Sequence, residues 1–339
     1  MISPTFGDMA QHLMLRRQGT DLKRAVTHLS QELTTGLVSD QARRVSGEFS
    51  ILADITNRHA LAETHRDLGR VAGTRLAVQQ TVIEGLRAHA QAGLAELALA
   101  EQSPMSTQVT RALSQMETRF GDAVTHLNTV FGGTGLFLGA SANGVALAEA
   151  SDILDQLMAD LGANLAPDPT AAETSQFIED WFAPGGAFDT VGYLGDAAVS
   201  SRLTLGNGLD VGFEITAADT EIRTTLAAFA KGAALARGVL DSNAPQQAAL
   251  AQETLVNLAK ASDDLIDIGA RIGQEEWRAA EAVTRAEAEI YAMKIARSEM
   301  LAADPYETAT QLEQARTQLD LVYAMTARLS RLSLLEYLR

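Results

Sequence analysis

Apolar residues recur every seven positions over long stretches of this chain, and proline is missing from those stretches. Leu15, Leu22 and Leu29 form one series, and Leu76, Ile83, Ala90 and Leu97 a second. The third and longest is Leu258, Leu265, Ile272, Ala279, Ala286 and Met293. Such spacing keeps one apolar stripe along one side of a helix and calls for a partner helix along that stripe. Proline is absent from 5–103 and from 246–304, and both segments are rich in Ala, Leu, Glu, Gln and Arg, which are good helix formers. A helix over 246–302 would be about 85 Å long at about 1.5 Å per residue, which is long for a compact enzyme.

Local signals set the helix ends. Ser103-Pro104 reads as an N-cap and first helical residue, starting a helix toward Val130. The loop Asp241 to Pro245 restarts a helix. Asp304-Pro305-Tyr306-Glu307 combines an N-cap acid, Pro at the first helical position and Glu at the third, a capping-box pattern. Beyond it Leu312, Ala315, Leu319, Val322, Met325, Leu329, Leu332 and Leu335 step by three or four toward the end. The middle is of another kind. Runs 201–205 and 209–215 flank Gly206-Asn207-Gly208, a hairpin signal. Residues 217–240 return to helix, with Ile222, Leu226, Phe229 and Ala233 on one face. The expected fold is mainly α: a long antiparallel coiled-coil or helical-bundle rod with a small central mixed α/β insert carrying a β-hairpin.

Charge follows the same division. The net charge is -16, yet residues 121–219 hold one basic side chain, Arg202, against fourteen acidic ones, and 14 of the 26 glycines. The arms on either side are close to balanced. The acidity argues against a nucleic-acid grip, which needs a basic face. The absence of Cys removes disulfides, thiolate nucleophiles and Cys-ligated metals. The longest charge-free stretch, 123–148, has five glycines and two asparagines and does not read as a membrane span. No basic segment followed by an apolar one opens the chain, so no secretory signal peptide is read.

Motifs for chemistry fail on context. Gly133-Thr134-Gly135 with Gly139 follows a helical stretch rather than a strand, and no Gly-Lys-Ser/Thr is present, so it reads as a turn and not a nucleotide loop. His12, His28, His59, His65, His89 and His126 form no His-x-x-x-His and show no local pairing with Glu at metal spacing, so they read as helix-surface or interface residues. Asp263-Asp264 with Asp267 reads as a solvated helix face. Trp181 and Trp277 stand without an aromatic cluster in the sequence and read as packing residues. No catalytic constellation and no cofactor or metal site is expected.

Three segments resemble the bacterial flagellin family, and more narrowly its hook-associated, hook–filament junction branch. Leu29-Ser30-Gln31-Glu32-Leu33-Thr34-Thr35-Gly36 looks like the family's Leu-Ser-x-x-Leu-Ser-Thr-Gly segment. Phe131-Gly132-Gly133 through Leu136-Phe137-Leu138-Gly139-Ala140-Ser141 looks like its Asn-Gly-x-Tyr-Leu-Phe-x-Gly-Ser/Thr stretch. Residues 304–339, above all 327–335, are similar to its closing helix. One departure follows Gly36, where Leu37-Val38-Ser39-Asp40-Gln41-Ala42 lacks the family's usual Asp-Asp pair.

The resemblance implies a non-catalytic structural protein of the bacterial flagellum. Residues 1–40 and 304–339 would be the terminal helices of an inner coiled coil, ordering during assembly. Residues 41–130 and 219–303 would form the helical rod, and 131–218 the acidic, outward-facing insert. The assembly interface would use Leu15, Leu22, Leu29, Leu312, Leu319, Val322, Leu329, Leu332 and Leu335. Partners would be copies of the chain, a neighbouring hook-associated junction protein, flagellin and an export chaperone of the flagellar type III system. The protein would be extracellular at the hook–filament junction, exported without a cleaved signal peptide, with no nucleic-acid partner and no membrane insertion. Filament flagellin itself is the alternative, and a cytosolic coiled-coil binding module a further one.

Overall fold

A computed structural model describes residues 6–41, 44, 49–101, 106–140, 144–196, 202–206 and 208–337. Nine helices and four short strands are found among them. The helices are α1 (Phe6–Thr35), α2 (Phe49–Glu101), α3 (Ser106–Leu127), α4 (Ala150–Asn164), α5 (Ala171–Phe182), α6 (Phe188–Val191), α7 (Thr220–Ala236), α8 (Ala244–Leu301) and α9 (Pro305–Tyr337). The strands are β1 (Val130–Phe131), β2 (Thr134–Gly135), β3 (Leu203–Thr204) and β4 (Asp210–Val211). The fold is a mainly α-helical bundle with long antiparallel packing and a small central hairpin insert, as the spacing of apolar residues requires. The expected cap at Ser103-Pro104 and the central Asn207 of the second hairpin lie outside the described residues.

The chain divides into two compact units. One contains residues 1–63 and 287–339, the other 64–286. Helices α2 and α8 each contribute to both. In the larger unit the two long heptad series are buried throughout: Leu76, Ile83, Ala90 and Leu97 on α2, and Leu258, Leu265, Ile272, Ala279 and Ala286 on α8. The two helices run antiparallel. The Gln91 side chain donates to Ser262 at 3.3 Å, while Gly69 lies opposite Ala279 and Val283. Burying such stripes contributes about 25 cal/mol per Å² of apolar surface.

The middle of the sequence shares this core. Phe137, Leu138, Leu147, Ile153, Leu157, Phe182 and Phe188 join one apolar cluster with Leu86, Phe120, Phe229 and Leu265. Both hairpins are antiparallel, β1 with β2 and β3 with β4, the second in the register Leu203↔Val211 and Thr204↔Asp210. Each strand is two residues long, shorter than the runs on either side of Gly206, because flanking backbone groups bond elsewhere: the Gly212 N–H donates to the Glu275 carboxylate on α8 at 3.0 Å.

Two expectations need correction here. Helix α7 is not buried on one face only. Every residue from Thr225 to Leu235 is buried, together with Ile222 and Arg223, because α3 and α5 both pack against it. Gly232 allows the α3 approach, since a β-carbon there would meet Met116 Cγ at 2.5 Å. Trp181 does stand in an aromatic cluster, with ring centroids of Phe182 and Phe188 at 4.9 and 6.3 Å. The helical turn of α6 brings in the second of these, a contact that sequence neighbours do not announce. Several acids of the middle segment keep their exposure to solvent, 48% for Glu179 and 71% for Asp155, and form ion pairs as well. They receive cations from α7 and the residue after it: Arg223 meets Asp189, Lys231 meets Glu179 at 2.5 Å, and Arg237 meets Asp155 at 2.6 Å as well as Glu117 of α3 at 2.7 Å.

Candidate assembly surface

The segment Leu29–Gly36 forms the last two turns of α1 and its stop. Gly36 adopts φ +70° and its N–H donates to Glu32 O at 2.8 Å. That left-handed conformation is one that glycine takes without a β-carbon clash. The chain then leaves the helix, and the Ser39 N–H donates to the Glu32 carboxylate at 2.7 Å. Leu37 lies in an antiparallel bridge with Ala302. Val38 N–H donates to Leu301 O, and Ala303 N–H donates to Gly36 O, each at 2.9 Å. A two-bond backbone clip thus joins the end of α1 to the start of α9.

Asp304 opens α9. Its Oδ1 accepts from the Tyr306 N–H at 2.8 Å and the Glu307 N–H at 3.1 Å, satisfying two orphan donors of the first turn. The reciprocal half of the expected capping box is not seen: Glu307 accepts from Gln311 one turn on, at 3.0 Å. From this clip α1 and α9 run antiparallel and pack along their length. Gly19 faces Val322, so that a β-carbon on Gly19 would lie 3.6 Å from Val322 Cγ1.

Along this pair Leu312 and Val322 are buried, as is Ala315. Leu15, Leu22, Leu29, Leu319 and Leu329 are half-buried. The side chains of Leu332 and Leu335 lie outside the described residues, as does that of His12. Two helices close one seam and leave their outer faces to solvent. Those faces are not polar. Leu13 and Met14 on α1 are more than 70% exposed, and Leu321 and Met325 on α9 are 60% exposed, with Leu33 and Tyr323 less so. These six residues were absent from the expected interface, which followed a single stripe per helix. The signal for them was the doublet Leu13-Met14, off the seven-residue series, and Leu321 at i, i+4 to Met325; Met325 itself belongs to the three-or-four-residue series read along α9, and the structure leaves it exposed rather than in the seam. Exposed apolar side chains, where they gather into a patch, mark interaction sites.

Titratable side chains are spread over both units. Among the described residues no group of three or more His, Asp or Glu side chains is placed to hold a metal ion. One histidine does pair with a neighbouring Glu one turn away, contrary to expectation: His59 Nδ1 lies 3.5 Å from Glu63. That is a two-membered contact on α2. His89 and His126 lie ring to ring at 5.4 Å. Burial pushes the His89 imidazole below its ordinary pKa, His126 and Arg119 push it the same way, and Asp122 at 4.0 Å opposes them. Asp263, Asp264 and Asp267 lie along α8, the first and last exposed. No helix among the described residues is long and apolar enough to cross a membrane.

The α9 side of the seam, one strand of the clip and the cap fall within the C-terminal portion that comparison with known families picks out. Residues 255–338 match the bacterial flagellin C-terminal helical region. No curated protein matches the chain. The flagellin match takes in most of α8, the Leu301–Ala303 side of the clip, the Asp304 cap and the α9 seam residues Leu312, Leu319, Val322 and Leu329. It is a match to a structural region of a non-catalytic protein.

Proposed function

We propose that this chain is a flagellin-type structural subunit that assembles with copies of itself through α1 and α9 and is exported to the bacterial flagellum without a cleaved signal. The observation that carries this reading is the flagellin match laid over α8 and α9, where α9 pairs with α1 and both helices keep apolar residues on their outer faces. A tube wall supplies what an isolated helix pair lacks, a second set of neighbours for Leu13, Met14, Leu321 and Met325. The expected partner set, with export through a type III route and a chaperone, belongs to this proposal.

Because the matched region is that of flagellin, the filament subunit is the favoured reading. Placement at the hook–filament junction, as in hook-associated protein 3, is a second reading. It draws on Leu37-Val38-Ser39-Asp40, which departs from the pattern of filament flagellins. Gene deletion with electron microscopy and assay of the medium separates the two. Bare hooks with no flagellin in the medium identify the filament subunit. Bare hooks with spilled flagellin monomers identify the junction protein. Normal filaments in the deletion strain refute both. A chain lacking 304–339 should keep a folded 64–286 unit and fail to incorporate, and incorporation of that truncated chain would refute the role given to α9.

A further inference from the structure

We infer that copies of this chain join head to tail through charge, with Arg16, Arg17 and Lys23 of one copy docking in an acidic cleft beside the clip of the next. The inference rests on the assembly reading and gives it a contact and a direction. Both patches belong to the unit of residues 1–63 and 287–339. The cleft has a volume of about 660 Å³, a size that admits whole side chains. Its lining contains four carboxylates, Glu32, Asp40, Asp304 and Glu307, against one guanidinium, Arg44. Three of the four are held by neutral donors. The Ser39 N–H donates to Glu32, the Tyr306 and Glu307 N–H groups donate to Asp304, and the Gln311 amide donates to Glu307. Those bonds fix the carboxylates and bring in no positive charge, so the cleft attracts cations.

The opposite sign stands further back along α1. From Leu13 to Gln31 the helix has Arg16, Arg17, Lys23 and Arg24 against one acid, Asp21. Arg24 is the cation that meets Asp21, at 3.8 Å. The other three are exposed to solvent. Arg16 and Arg17 stand more than about 20 Å from Glu32 along the helix, at about 1.5 Å per residue. That is beyond the reach of their side chains, so one copy does not bring its own patches together. A second copy can. Two different patches that complement one another make a heterologous contact, which repeats into a ring or a helical filament instead of closing as a dimer. Apolar surface flanks both patches: exposed Leu13 and Met14 adjoin the basic side chains, and Tyr306, 84% exposed, adjoins Glu307.

The test is polymerisation of the full chain, followed by light scattering and sedimentation. Complementary charge acts mainly on the rate of association, so elongation should slow several-fold between about 50 mM and about 500 mM salt. One variant reverses the basic patch: Arg16→Glu, Arg17→Glu and Lys23→Glu. Another reverses the cleft: Asp40→Lys and Glu307→Lys. All five positions are exposed, so circular dichroism should stay unchanged. Each variant alone brings like charges together and should elongate at least about tenfold more slowly. Mixed in equal amounts, the two should regain at least about half the original rate, because the reversed patch of one meets the reversed cleft of the other. A purely structural effect of either set would not be rescued by mixing. If the unsubstituted chain polymerises but the mixture shows no rescue, or elongation is indifferent to salt, the inference is overturned and the assembly reading stands. An unsubstituted chain that forms no polymer at any salt concentration would overturn both.

Discussion

Lys231 offers a sharp test of how the core of the larger unit tolerates charge. Its side chain has no exposed surface, and its ammonium is held by Ser175 Oγ and the Glu179 carboxylate. Replacing Glu179 by Ala leaves a buried cation with a hydroxyl as its remaining partner. Breaking a buried ion pair from one side costs about 3–5 kcal/mol. Glu179 is 48% exposed, so water enters where the carboxylate stood and the low end, about 3 kcal/mol, is expected. For a unit of this size that corresponds to a loss of roughly 6–12 °C in Tm. Lys231→Met keeps the aliphatic stem and removes the charge, and should change stability by about 1 kcal/mol or less. In the double variant the penalty for losing Glu179 should nearly vanish, giving a coupling of about 2–3 kcal/mol. Urea unfolding followed by fluorescence of buried Trp181 reads all four proteins, since Trp277 is 65% exposed and changes environment little. Additive effects of the two substitutions would refute the reasoning, as would a Lys231→Met protein as unstable as Glu179→Ala.

Four further outcomes are expected. Gly139 has φ +74° and a β-carbon there would run into the Asp196 carbonyl, so Gly139→Ala should lose about 1–3 kcal/mol in thermal unfolding. The His89 pKa is depressed in the folded protein, so the unfolded chain binds the extra proton; the stability His89 contributes should be complete above about pH 6.5 and fall as pH drops through the folded value, a slope that His89→Gln should flatten in denaturation series. Leu321→Ser with Met325→Ser should leave the monomer's unfolding free energy within about 0.5 kcal/mol of the parent yet reduce polymerisation in sedimentation assays; unchanged polymer yield would count against the outer face of α9 as an interface. Leu312→Asp places a charge in the closed seam and should cost about 3 kcal/mol or more, read as loss of helical signal from the α1–α9 pair.

Much of the helical frame was legible because burial in a long helix leaves a periodic trace. Leu76 to Leu97 and Leu258 to Ala286 follow that trace and are buried, while Met293, the last of its series, is half-buried. Punctuation residues were legible too: Asp304 caps α9, and the turn at Gly206 joins two paired strands. The centre was harder to read. Arg223 and Lys231 look like the solvent face of α7, and their acceptors, Asp189 and Glu179, stand far away in sequence. Periodicity cannot report a helix wrapped on several sides when its polar residues find partners from other elements. The aromatic contacts of Trp181 were hidden for the same reason. Leu13, Met14 and Leu321 were hidden differently, since they break the spacing that made the inner seam visible, whereas Met325 keeps that spacing and is exposed all the same.

The backbone clip between Gly36–Val38 and Leu301–Ala303 has a consequence for the order in which the molecule can be completed. The first long helix to be made is the last to find its partner, because α9 closes the described chain. Until Leu301 and Ala303 are present, Leu15, Leu22 and Leu29 have no seam to enter. Closure of the α1–α9 pair therefore waits on every residue between the two helices. A chain interrupted anywhere between them keeps α1 unpaired, and only one that includes both helices can present the two outer faces together.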